Sequence, residues 1–296
     1  MARSIDIQSV VYTNAAKDLL RAAEAVGNAV RVARRDGLLD KWTFRLGDGS
    51  PEAMLNDDEL ETIESLVVAE GGAFFSDVFG ANLGSAAGHN RLAAQGENEQ
   101  LVILNPDALM EPRLLSEMIG TLASDIGFIE ARQIPIEHPK EYDAVTGDTD
   151  WGSTACAMIP RSLFDQLSGF DAETFFLYCD DVDFSWRVRL AGKRVVYQPS
   201  ARLFHDKRLT KEGDWPSSNA ERYYSAEAAL MLAYKYSRED VLRKNSRIFR
   251  NSGDPNLLKA LREFESRRSA GTLPEQIDRD RRVAKFVSGN YAAHRY

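Results

Sequence analysis

Gln100-Leu-Val-Ile-Leu-Asn-Pro-Asp107 is the stretch on which the reading of this chain turns. An unbroken apolar centre reads as a strand buried on both faces. Asn-Pro-Asp then closes it with three residues that favour turns. In an open α/β sheet, ligands collect in the crevice beyond the carboxyl ends of the strands. Asp107 is therefore placed to hold a divalent cation, and the cation could hold a phosphorylated substrate. The same three residues equally suit a plain turn leading into a helix.

Upstream, Ile5–Tyr12 reads as a strand and Asp18–Arg34 as a helix with Leu19, Ala22, Ala23 and Val26 on one face. Trp42–Leu46 is a second strand, ended by Gly47-Asp-Gly-Ser50, a strong turn signal. A helix over Asp57–Ala69, a short strand at Ala73–Phe75 and a small-residue helix over Ser85–Gln95 lead to the strand at Gln100. Downstream, Pro112 suits a first helical position, and Leu115, Met118, Ile119 and Leu122 follow at helical spacing. This β-α alternation calls for a mostly parallel central sheet flanked by helices.

The second half changes character. Strands are expected at Ile126–Arg132, Ser153–Ile159 and Arg194–Tyr197, and a helix over Asp181–Ala191 closed by Gly192. Polar stretches at Pro135–Asp150 and Asp206–Ser218 read as loops, the first of them mobile. A long helix is expected from about Asn219 to Tyr236, and then a charged, partly helical tail. The division is an α/β domain over 1–205 and a loop with a helical extension over 206–296.

Composition narrows the function. Of 296 residues, 44% are hydrophobic, enough for a sizeable core, and the net charge of −8 argues against a nucleic-acid partner. Cys156 and Cys179, the only cysteines, make no disulfide framework or zinc pattern, which suits a reducing compartment. The first residues lack a signal-peptide core, and no run approaches the ~18 apolar residues of a membrane span. A cytoplasmic protein is expected, with room for peripheral contact at the inner face of the plasma membrane; the basic C-terminal runs read as a solvated helix face or a local basic face.

Asp180-Asp-Val-Asp183 follows the aromatic run Phe175-Phe-Leu-Tyr178. Three carboxylates in four residues repel one another and need a cation, donors or water around them. They also suit the first turn of a helix. Asp183 and Arg187, four apart, read as a structural ion pair. Asp180 and Asp181 lack an evident local partner and could face a cleft.

Taken in order, these pieces resemble a known family. Tyr12-Thr-Asn14, Gly47-Asp-Gly-Ser50, Asn82-Leu-Gly84 with Asn90, and Leu104-Asn-Pro-Asp107 come first. Gly169-Phe-Asp171, Tyr178–Asp183 with Arg187, Ala191-Gly192, Tyr197-Gln-Pro199 and His205 follow. The set is similar to bacterial glycosyltransferases of family 2, with the nucleotide-sugar-binding GT-A fold, especially rhamnosyl- and galactofuranosyltransferase-like members. Each piece is weak alone; the ordered set, spanning residues 5 to 205, is specific.

The resemblance implies roles. Asp107 would be the last acid of an Asp-x-Asp-like metal motif whose first acid is here Asn105, and His205 would complete the Mn²⁺ or Mg²⁺ site. Asp181 would be the catalytic base of an inverting transfer, its pKa lowered by the helix N-terminus. Asp180, where relatives carry Glu, and Trp151 would meet the acceptor. Thr13, Asn14, Asp48, Asn82, Gly84 and Asn90, with Asp107, would bind a UDP- or dTDP-sugar donor. A glycan or lipid-linked acceptor is implied. Gly47 departs from the acid common at its position, and Ala226-Glu227 replaces a common Arg-Asn pair. The alternative is a GT-A-like subunit that binds sugar or acts as a scaffold without turnover.

Overall fold

The computed structural model describes residues 3–137, 139–205, 211 and 217–292. Eight strands form one sheet in the order β3-β2-β1-β4-β7-β6-β8-β5. They are β1 (Arg3–Val11), β2 (Leu39–Asp48), β3 (Ala73–Val78), β4 (Gln100–Leu104), β5 (Ala108–Met110), β6 (Ile126–Ile134), β7 (Cys156–Pro160) and β8 (Arg194–His205). Pairings β1/β2, β2/β3, β1/β4 and β6/β8 are parallel, whereas β4/β7, β6/β7 and β5/β8 are antiparallel. Only β5 and β7 run against the rest, so the sheet is mostly parallel.

The chain moves outward from β1 through α1 (Ala16–Arg35), β2 and α2 (Asp57–Ala69) to β3. It then returns by α3 (Gly84–Ala93) to β4 on the other side of β1. The strand order therefore reverses between β1 and β4, and the crevice beyond their carboxyl ends is where an open α/β sheet receives a ligand. Thr13, Asn14 and Asn105 stand at those ends.

Residues alternate between faces along β4, as the pleat requires. Val102 and Leu104 join Ile5, Ile7, Trp42 and Phe44 in a core against Leu19, Val26 and Val30 of α1. Leu101 and Ile103 join Phe128 and Ile159 in a second core against Phe164 of α5 (Arg161–Gln166) and Phe184 and Val188 of α6 (Asp180–Leu190). The last helices are α7 (Asn219–Lys235), α8 (Glu239–Asn251) and α9 (Pro255–Ala270). They form a third core with Trp151, Phe175, Val182 and Trp186.

Three departures from the sequence reading shape the site. First, β8 does not stop at Tyr197: Pro199 interrupts the ladder, the register slips between Ala131 and Arg132, and pairing resumes to His205. Second, β5 is an extra three-residue strand, with α4 (Leu114–Thr121) following it, and it pairs Ala108 with His205. Third, the expected mobile loop at 135–150 is tied down over its described part. Tyr142 bridges Thr149, Asp148 bridges Val196, and Asp143 accepts the N–H groups of Val145 and Thr146. Lys207, Arg208 and Trp215, in the stretch expected as a polar loop, lie outside the described residues.

Candidate active site

The β5/β8 pairing puts Asp107, one residue before β5, against the end of β8. His205 Nε2 lies 3.2 Å from Asp107 Oδ1 and 3.5 Å from Asn105 Nδ2. On the other edge of the ring, His205 Nδ1 lies 2.9 Å from Gln133 Oε1. An amide oxygen there selects the tautomer with the proton on Nδ1 and turns the Nε2 lone pair toward Asp107. His205 is buried, while the Asp107 side chain remains 32% exposed.

These donors fit a divalent cation. Two neighbouring ligands of an octahedral ion, each at about 2.1 Å, stand about 3 Å apart, close to the observed gap. Among the described residues, no group of three or more His, Cys, Asp or Glu could hold a metal. A site of two protein ligands suits ions that share their remaining positions with water and substrate phosphates.

The second half of the site is the start of α6. Tyr178 and Cys179 both have positive φ, 65° and 58°, a conformation that non-glycine residues hold only when their surroundings impose it. This turn opens α6, whose first two residues are Asp180 and Asp181. Asp181 Oδ1 accepts the Val182 N–H at 2.8 Å, and Oδ2 accepts the Thr154 N–H at 3.4 Å. Sequence reasoning expects the helix N-terminus to lower the Asp181 pKa. Burial among protein atoms outweighs it, and the carboxyl is pushed above the usual carboxylate range even though part of its surface still meets solvent. Asp180 is pushed up as well, by burial and by the neighbouring Asp181 charge. It meets the Ser85 hydroxyl, yet its Oδ2 is buried with no hydrogen-bond partner among the described residues.

The two halves meet through one short segment. Asn105 N–H donates to Ala155 O at 2.9 Å, and the preceding residue's N–H donates to Asp181. Gln133, which holds His205, also donates from Nε2 to Ser153 Oγ at 3.3 Å. A continuous polar path thus runs from Asp107 through His205, Gln133 and residues 153–154 to Asp181.

The other sequence-predicted residues divide. Thr13 (φ 55°) donates its N–H to Ser50 Oγ at 2.9 Å, and Asn14 accepts the Tyr12 N–H at 2.9 Å, so both lie in the turn at the β1 end. Asp48 is buried and holds its own turn, accepting from Ser50 N at 2.8 Å and Met54 N at 2.7 Å. Asn82 accepts the Gly84 N–H at 3.0 Å. Gly84 has φ +73°, and a Cβ there would stand 2.3 Å from Phe176 O, so only glycine lets α3 meet the turn before α6. Both ends of the Asn90 amide bind the Phe170 backbone, at 2.8 and 2.9 Å, which fixes the Gly169–Asp171 turn.

Trp151 is 5% exposed, with the Lys140 ammonium 3.5 Å from its ring centroid and Tyr291 edge-on at 4.8 Å. Asp183 is structural, as expected. It pairs with Arg187 at 2.8 Å, and also with Lys235 at 2.6 Å and the Tyr236 hydroxyl. Sequence reasoning missed Gln133, Glu130, Lys140 and Tyr291. Their partners are 10 to 140 residues away in the chain, and no local motif marks them.

Comparison with known proteins agrees with this frame. The fold is that of the GT-A glycosyltransferases. It superimposes on a mannosyltransferase from Pyrobaculum calidifontis in complex with GDP-Man and Mn²⁺ (TM-score 0.58, 15% identity, 93% of this chain, 77% of that chain). It also matches GalNAc-T7 with UDP, GalNAc and Mn²⁺ (TM-score 0.64, 13% identity, 93% and 60%). No family model matches the sequence. Among curated relatives is the N-acetylglucosaminyl-diphospho-decaprenol L-rhamnosyltransferase of Mycobacterium tuberculosis, 28% identical over 53% of this chain. Another is rhamnosyltransferase WbbL of Escherichia coli, 36% identical over 23%. The matches span 66% and 25% of those proteins' lengths. The chain is thus similar in sequence to bacterial rhamnosyltransferases over part of its length and similar in fold to GT-A glycosyltransferases.

Proposed function

We propose that this chain is an inverting, divalent-cation-dependent glycosyltransferase of bacterial polysaccharide synthesis. It takes a sugar from a UDP- or dTDP-linked donor and passes it to a hydroxyl of a glycan or lipid-linked acceptor. The observation that carries the reading is the polar path joining Asp107 and His205 to Asp181 across residues 153–155. The rhamnosyltransferase names of the sequence relatives support it.

In this reading, Thr13, Asn14, Asp48, Asn82 and Gly84 shape the donor pocket beyond β1, β2 and α3. Asp107 and His205 hold Mn²⁺ or Mg²⁺, which when bound neutralises charge on the departing diphosphate. Asp181 accepts the acceptor hydroxyl's proton while that oxygen attacks the anomeric carbon opposite the leaving group, which inverts its configuration. A carboxylate pKa raised by burial makes Asp181 a stronger base while leaving it ionised near neutrality. Asp180, beside it, orients the acceptor.

A second reading, a sugar-binding or scaffolding subunit without turnover, has one observation in its favour. A Cβ at Gly47 would stand 2.1 Å from the Phe79 ring, so an aromatic side chain fills the place of the missing acid. One assay separates the two. Under the enzyme reading, a panel of UDP- and dTDP-sugars yields nucleoside diphosphate with Mn²⁺, EDTA abolishes release, and the product's anomeric configuration is opposite to the donor's. Thermal stabilisation by a donor with no diphosphate release from any of them would establish the scaffold instead.

A further inference from the structure

We propose that the buried Glu130–Lys140 ion pair is a positioning device for Asp181: it clamps residues 151–153 so that the next backbone N–H, that of Thr154, holds the base. The inference rests on Asp181 being that base.

Lys140 comes from the tied-down 135–150 loop and Glu130 from β6. Their side chains are 3% and 2% exposed and form a direct ion pair. Burying two charges costs more than their attraction returns unless further hydrogen bonds complete them, and an apolar pair of equal volume commonly serves stability as well. Here the further bonds all fall on one segment. Lys140 Nζ donates to Trp151 O at 3.0 Å and lies over the Trp151 ring. Glu130 accepts the Ser153 N–H, and Gln133 reaches Ser153 Oγ. Gly152 N–H donates to Ser185 Oγ at 3.0 Å. Three successive residues are thus fixed from β6, α6 and the loop, and the fourth donates to Asp181 Oδ2.

The groups facing Asp181 are Asp180 and Cys179 at the start of α6, Tyr291 from the C-terminal tail, Glu130 and Lys140. Of these, Lys140 is the positive charge. Its removal makes the Asp181 anion less favourable, so Asp181 keeps its proton to higher pH and the acid limb of turnover moves up.

The test compares wild type, Lys140→Met, Lys140→Arg, the double variant Glu130→Gln/Lys140→Met and Asp181→Asn. It reads thermal unfolding, donor KM and the pH profile of kcat. The double variant leaves no lone buried charge, so it folds even where Lys140→Met does not. We expect kcat to fall roughly 10- to 100-fold in both Lys140→Met variants. Donor KM stays within about twofold, which marks a loss felt at the transition state and not in ground-state binding. The acid limb of Lys140→Met shifts upward, and Lys140→Arg restores most of the rate. A folded double variant with kcat within about twofold of wild type overturns the proposal, as does a donor-KM effect without a kcat effect. Normal turnover by Asp181→Asn would also overturn it, and would place the failure in the reading of Asp181 itself.

Discussion

Asp180 and Asp181 share a helix turn, but their surroundings give them different consequences. Asp181 has two backbone donors and partial access to solvent; Asp180 meets Ser85 and backbone N–H groups, but its Oδ2 is buried with no partner among the described residues. An ionised Asp180 is therefore a standing cost to the fold. Below about pH 4 the folded and unfolded chains both carry the proton and the cost vanishes. As pH rises, the unfolded chain releases that proton first, because the folded-state pKa is raised, so stability drops until pH passes the folded value. Asp180→Asn should accordingly raise Tm at pH 8, by roughly 2 °C for each ~1 kcal/mol relieved. It should change Tm little at pH 4 and weaken acceptor use. Equal Tm shifts at the two pH values, or a loss at pH 8, would contradict this account of Asp180.

At the scale of elements, α2 and β4 fall where periodicity and turn residues put them. Asn56 caps α2 through a reciprocal capping box with Glu59, a signal carried by four consecutive residues. The sheet's first half was legible for the same reason: each element is specified locally. The site was legible in part. Asp107 and Asp181 sit at a strand end and a helix start, positions with a sequence signature. The reach of β8 to His205 was hidden by Pro199, which reads as a strand end and is in fact the point of a register slip. β5 was hidden by its length, since three residues carry no period. Lys140 was hidden in a polar stretch whose composition reads as solvated, because a partner ten residues back in a buried strand leaves no local mark. Asn90 and Trp151 likewise make backbone and ring contacts across the fold that their residue types do not announce.

Across the whole molecule, the helical extension packs into the frame of the candidate site. α7 sends Lys235 to both Asp171 and Asp183, at 2.7 and 2.6 Å, and so ties the turn before α6 to α6 itself. The tail beyond α9 returns to the site end. Arg189 binds Val283 O, Phe286 packs on Trp186 at 5.3 Å, and Tyr291 meets Trp151. No described helix is long and apolar enough to cross a membrane. A chain ending at residue 205 would expose Phe175, Val182 and Trp186 to water, an apolar patch of the kind that drives aggregation. We expect residues 1–205 alone to be insoluble or to unfold without a cooperative transition. A soluble fragment with a sharp thermal transition would show that the first 205 residues form an independent domain.

The account as a whole rests on a cation site and a base acting on the same sugar, and the Asp181→Asn variant tests that most directly. Its side chain keeps the shape and loses the ability to take a proton. With a donor identified by the turnover assay, the account predicts unchanged thermal stabilisation by nucleoside diphosphate with Mn²⁺, and transfer slowed by about 10²–10⁴. A variant that binds donor normally and transfers sugar at nearly the wild-type rate would contradict it.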